Sequence, residues 1–126
     1  MPTLSKSDFK TARECVTKLY YRKQRYPSAL DEDPYLQLLA QGGYMVEKLA
    51  KTLYPDGVEL PTTRTEADFV ATHEALASGR GTWFEASLRA GPLTARVDIL
   101  QRRADGFDLI EVKSTSIDSH KVEAQL

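Results

Sequence analysis

This chain has one cysteine, so it cannot close a disulfide within itself. Its only histidines, His73 and His120, stand too far apart in sequence to form a short-spaced metal-binding pair. No apolar stretch approaches the ~20 residues that a membrane-spanning helix needs. The net charge is −1, which supplies no bulk positive field, so any contact with a polyanion has to come from local clusters. Repeats, linkers and low-complexity tracts are absent from the sequence. No leader pattern precedes the first polar helix, and a cytoplasmic location with no membrane partner is expected.

What is present is enough for one globular domain over residues 1–126, with 41% hydrophobic residues to build a core. A first helix is predicted from about Ser7 to Arg25. Ser5 and Asp8 form a capping box at its start, Phe9, Ala12, Val16, Leu19 and Tyr20 make its buried stripe, and Pro27 ends it. Asp33 before Pro34 starts a second helix, Pro34 to Leu53, with Leu36, Leu39, Val46, Leu49 and Leu53 inward. Gly42 and Gly43 in its middle cost roughly 1 kcal/mol each relative to Ala, which a kink or a close approach would explain. Val58 to Leu60 reads as a short strand. Thr65 to Ser78 reads as a third helix with Phe69, Thr72 or His73, and Leu76 inward.

Three strands follow, Thr82–Arg89, Leu93–Gln101 and Phe107–Lys113, joined by turns at Ala90-Gly-Pro92 and Ala104-Asp-Gly106. The second carries Asp98 between Val97 and Ile99. The third ends in Glu111-Val112-Lys113, whose charged members share one strand face. The intervening turn brings Asp98 alongside them. Two carboxylates and an ammonium in one small volume offer oxygen ligands for Mg²⁺ or Mn²⁺, with a cation beside a reacting phosphate. The alternative is a structural ion pair, because an unpartnered buried carboxylate is costly.

Taken with Ser5-Lys-Ser-Asp-Phe9, Cys15-Val-Thr-Lys-Leu-Tyr-Tyr-Arg22, Gly43-Tyr-Met-Val-Glu47 and Gln125, this order of motifs resembles the PD-(D/E)xK nuclease superfamily. The nearer likeness is to its RecB-like branch, which includes Cas4-like exonucleases. The resemblance implies an α/β (α+β) fold with a restriction-endonuclease-like core: helices packed on a small mixed sheet that contains an antiparallel three-stranded meander. It implies a Mg²⁺- or Mn²⁺-dependent deoxyribonuclease that hydrolyses phosphodiester bonds, with DNA as partner, single-stranded or end-bearing. Asp98 and Glu111 would hold the metal with the Val112 carbonyl, Lys113 would act on the attacking water, and Gln125 would orient the site. Glu47 stands where many relatives carry a metal-binding His; the alternative is a solvent-facing helix residue paired with Lys51 at i+4. Cys15 stands where relatives bind a 4Fe-4S cluster through four cysteines. This chain has one, so a cluster is expected only in a longer parent protein. The helix opening at Ser119 has no stop signal before Leu126, so we expect the chain to belong to such a protein.

Other candidates are weighed on their residues. Glu85, in the first meander strand, is either near the catalytic face or an exposed strand position. Lys18, Tyr21, Arg22 and Arg25 mix cations with aromatics that suit a nucleic acid, and Ser114 could bond a phosphate. The same residues would also serve as a solvated helix face and a polar loop. Two further readings stay open: a non-catalytic nucleic-acid-binding module, and a scaffold domain of a repair or defence complex. Apolar surface left by absent elements would favour a homodimer.

Overall fold

The computed structural model describes residues 2–115. The expected first helix is two. β1, Leu4–Ser5, leads into α1, Lys6–Glu14, and α2 follows over Val16–Lys23. The capping box is present: the Ser5 hydroxyl accepts from the Asp8 amide at 3.2 Å, and the Asp8 carboxylate accepts from the Ser5 amide at 2.9 Å. The helix breaks at Cys15, whose φ of −164° and ψ of 118° are extended. Cys15 closes α1 by donating to the Thr11 carbonyl and opens α2 by accepting from the Leu19 amide. In an unbroken helix Asp8 and Lys23 would stand about 22 Å apart along the axis. Folded at Cys15, Lys23 Nζ reaches Asp8 Oδ2 at 2.7 Å. The predicted apolar stripe is therefore overturned. Phe9 and Val16 are 64% and 73% exposed, and the polar Asp8 and Thr11 are buried between the two helices.

α3 spans Pro34–Lys51, with Asp33 capping the Tyr35 amide at 2.9 Å and Pro34 at the first position. Its expected inward residues Leu36, Leu39, Val46, Leu49 and Leu53 are exposed, because no described element is laid along that face. β2, Val58–Glu59, precedes α4, Glu66–Ala77. In α4 it is Thr72, not His73, that turns inward, and its hydroxyl accepts from the Ser87 amide at 3.0 Å. Among the described residues no helix is long and apolar enough to cross a membrane.

β3 (Thr82–Ala90), β4 (Leu93–Arg103) and β5 (Gly106–Ile110) form the expected antiparallel meander. Gly91 opens the two-residue loop between β3 and β4 with φ 57°, a left-handed conformation that glycine adopts without cost. β2 runs parallel to β3, and β1 runs parallel to the start of β4. The result is a mixed α/β fold on a small mixed sheet.

β3 occupies one edge of β4, so β1 and β5 share the other. β1 pairs with Leu93 and Thr94, and β5 pairs from Ile99 to Arg103. Because β1 is parallel and β5 antiparallel to β4, their C-terminal ends face one another across the uncovered edge at Ala95 to Asp98. The core lies between the sheet and α4. It is built from Leu60, Trp83, Ala86, Val97 and Leu100, with Val58, Ala75, Leu76 and Leu88 against it.

Candidate functional site

β5 stops at Ile110, short of the predicted Lys113, so Glu111, Val112 and Lys113 leave the sheet at the gap in the β4 edge. The Val112 amide has lost its ladder position and donates to Asp98 Oδ2 at 2.7 Å. That contact joins the two halves of the sequence motif. Glu111 is met from the opposite side by α1. Its Oε1 accepts from Lys6 Nζ at 2.5 Å and from Lys113 Nζ at 2.7 Å. Burial pushes the Glu111 carboxyl up, but the Lys113 and Lys6 ammoniums outweigh it and hold the group below its ordinary value.

Glu111 and Lys113 line a cleft of about 710 Å³. Around them stand Lys6 and Lys10 of α1, Arg22 of α2, Arg64 from the loop before α4, and Arg89 and Arg96 from the sheet. The carboxylates in the lining are Glu111 and Asp68. Asp68 is already satisfied by the Thr63 hydroxyl and by the Thr63 and Arg64 amides. Lys10 and Arg64 make no side-chain hydrogen bond or ion pair among the described residues. The near-neutral chain therefore concentrates positive charge on one concave face.

Glu47 and Glu85 form a second cluster. In the register of β3 on β4, the pairs Phe84 with Ile99 and Ala86 with Val97 place Glu85 opposite Asp98. Glu85 has φ 62°, a strained left-handed conformation for a residue with a side chain. Beside it the sheet changes face, since Trp83 and Ala86, like Val97 and Leu100, enter the same core. Lys51 Nζ lies 3.2 Å from Glu47, 2.8 Å from Glu59 and 3.1 Å from Glu85. Arg96 Nε stands 3.7 Å from Glu85 and links this cluster to the basic cleft. Burial and the neighbouring Glu47 push Glu85 up to about 7, against the pull of Lys51. Glu47 is lowered, chiefly because Glu85 donates a hydrogen bond to it. Burial would depress Lys51, but Glu59, Glu85 and Glu47 hold it well above its ordinary value.

The structure thus brings together Asp98, Glu111, Val112 and Lys113, and sets Glu47 with Glu85 on Lys51. Among the described residues no three or more His, Cys, Asp or Glu side chains are gathered at one point where they could hold a metal ion. Gln125 lies outside the described residues. Ser114 passes α3, its Oγ 3.7 Å from where a Cβ on Gly43 would sit, away from the cleft. Cys15 is exposed, and the Lys18 and Thr17 amides at the start of α2 lower its thiol.

The basic helix segment lines a second concavity, of about 980 Å³, which includes Lys18, Tyr21, Arg22 and Tyr26. Lys18 pairs with Glu14 at 2.8 Å. Arg22 donates to the Thr11 hydroxyl at 2.9 Å. Arg25 lines neither concavity but shapes one. Its φ of 56° ends α2, with Arg25 donating to the Arg22 carbonyl and Tyr26 to the Tyr21 carbonyl. This is a Schellman ending with its usual contact between the flanking side chains, here Tyr26 on Tyr21 at 5.4 Å.

Lys6, Lys10, Arg64 and Arg96 were not singled out by sequence reasoning. Their meeting depends on β1 and β5 sharing an edge, and β1 is too short to leave a periodic signal. No protein-family model, characterised protein or solved structure matches this chain.

Proposed function

We propose that this chain is a Mg²⁺- or Mn²⁺-dependent nuclease domain of the PD-(D/E)xK type, acting on DNA, with a restriction-endonuclease-like core. The observation that carries the reading is the hydrogen bond from the Val112 amide to Asp98 at the open edge of β4, beside a cationic cleft that Glu111 and Lys113 line. Asp98 and Glu111 would hold the ion. Their oxygens fit such hard cations, and Mg²⁺ is commonly held by only one or two carboxylates. When bound, the ion would supply an acidic water and neutralise charge on the phosphate. The chain's own residues do the rest. The Val112 amide fixes the Asp98 carboxylate. Lys6 and Lys113 flank Glu111 and place positive charge where the phosphorane would develop. Glu47 reaches the same region of the sheet through Glu85, which stands opposite Asp98.

A second reading rests on the same contacts. Both lysines already neutralise Glu111, as a purely structural pair in a non-catalytic binding module would. Calorimetric titration of Mn²⁺ into the wild-type chain, Asp98→Ala and Glu111→Ala separates them. The nuclease reading expects binding that both substitutions abolish. No binding to a chain shown to be folded would sink it and leave the binding module.

A further inference from the structure

The two concavities adjoin. Ser7, Lys10 and Arg22 line both, so the wall between them is shared. Tyr21 and Tyr26 line one groove together with Lys10 and Arg22, and these two cations also line the neighbouring cleft that holds Lys113. The groove's aromatic end is unusual in being uncovered. Tyr20, Tyr21 and Tyr26 are 60%, 50% and 70% exposed. They meet edge to face, Tyr21 at the centre, with centroids 5.5 Å from Tyr20 and 5.4 Å from Tyr26. Each such contact sets one ring's edge on the other's face and covers at most one face of one ring, and the exposure of all three rings leaves ring surface open to a ligand. The left-handed Arg25 and the two hydrogen bonds of the helix ending hold Tyr26 against Tyr21, so the platform is built before any ligand arrives. Arg22 is likewise held by Thr11 and Asp8, while Lys10 makes no side-chain hydrogen bond among the described residues and feels only the charge of Glu14.

We infer that the groove contains a base-stacking subsite: unpaired bases of a single-stranded polynucleotide lie on Tyr21 and Tyr26, and the adjoining phosphates sit at Lys10 and Arg22. Fixed aromatic faces beside spaced cations are what an unpaired strand requires, because each base has a face to stack and each linkage a charge to neutralise. In a duplex the base faces are stacked on one another and cannot reach the tyrosines. The subsite extends the proposed nuclease cleft and rests on that reading for its biological use, but its binding does not depend on metal or chemistry.

The test is fluorescence anisotropy of labelled oligo(dT), oligo(rU) and a hairpin duplex with the full chain, in EDTA. Both single strands are expected to bind more tightly than the duplex. Tyr21→Leu and Tyr26→Ala should each weaken oligo(dT) roughly 10- to 100-fold, with Tyr21→Phe close to wild type. Lys10→Ala, which breaks no hydrogen bond, should weaken it and flatten its salt dependence by about one unit of slope. A preference for either sugar supports the proposal and names the nucleic acid. Equal or tighter duplex binding, or wild-type affinity in a folded Tyr21→Leu chain, overturns it. If that variant does not fold, Lys10→Glu with unchanged affinity overturns it. An oligonucleotide held in the groove but never cleaved with Mn²⁺ would sink the nuclease reading alone. Cleavage indifferent to Tyr21 and Lys10 would sink the subsite alone.

Discussion

Lys51 Nζ lies 3.1 Å from Glu85 Oε1, and through that contact the last turn of α3 is fastened to the one strained residue in the middle of β3. Lys51 is 16% exposed and also serves Glu47 and Glu59. Removing it leaves three carboxylates facing one another with a desolvated pair at their centre. Lys51→Met is expected to cost about 2–4 kcal/mol, the range for orphaning partly buried charges. Adding Glu85→Gln should recover part of that loss, since Gln reproduces the protonated Glu85 that bonds Glu47. Urea unfolding of the two single variants and the double measures it. Strict additivity would show that the cluster is not one unit.

Gly57 is required for a different reason. A Cβ there would sit 2.2 Å and 2.6 Å from atoms of the Phe84 ring. Phe84 is 6% exposed and has Lys51 over its ring, so it cannot move aside freely. Gly57→Ala should destabilise by about 1–3 kcal/mol, as overpacking does. Combined with Phe84→Leu, which opens the space, it should cost much less. Thermal melts of the cycle decide the matter, and a Gly57→Ala chain as stable as wild type would contradict the contact.

Asp8 sets an acid limit on stability. Burial raises its carboxyl, but the Lys23 hydrogen bond, then the Ser5 amide and hydroxyl, more than offset this and lower it below the ordinary value. A carboxylate depressed in the folded state contributes stability that is fully present above its unfolded pKa, about 4. That contribution is lost as pH falls through the folded value. The melting temperature should therefore drop on acidification below about pH 4. Asp8→Asn should make that drop shallower and cost about 1–3 kcal/mol at neutral pH, the worth of its charged hydrogen bonds. An unchanged acid profile in the variant would remove Asp8 from the account.

The same residues show how far the sequence could be read. Turn and cap chemistry is local, and Ser5 with Asp8, Asp33 with Pro34 and the Gly91 hairpin stand where the sequence puts them. The meander of alternating strands is equally local, and it brings Asp98 to the Val112 amide, the residue after Glu111. What failed was long-range or polar. Helical spacing of Phe9, Val16 and Leu19 argued for one buried helix. The molecule instead buries Asp8 and Thr11, because folding at Cys15 gives Asp8 two cations that no periodicity shows. β1 has two residues, too few for alternation to register, yet it delivers Lys6 to Glu111. The face change at Glu85 was invisible for a similar reason, since strand alternation assumes that every residue stays extended.

Lys113 provides the sharpest separation of structure from chemistry. Its side chain is 56% exposed and Glu111 is 38% exposed, so as a solvent-screened pair it contributes little to stability. Lys6 also remains on the same Glu111 oxygen when Lys113 is removed. Lys113→Ala should therefore leave the melting temperature nearly unchanged and should keep Mn²⁺ affinity within a few-fold. If Lys113 stabilises charge that appears only as the phosphate is attacked, the cleavage rate should fall by about 10²- to 10³-fold, with KM little altered. Single-turnover cleavage, run beside calorimetry on the same preparation, reads both quantities. A variant that cleaves at the wild-type rate would make Lys113 a structural partner of Glu111 and shift the catalytic cation to Lys6. A variant that loses metal binding as well as rate would mean that Lys113 acts by holding Glu111 in place, not by meeting the phosphate.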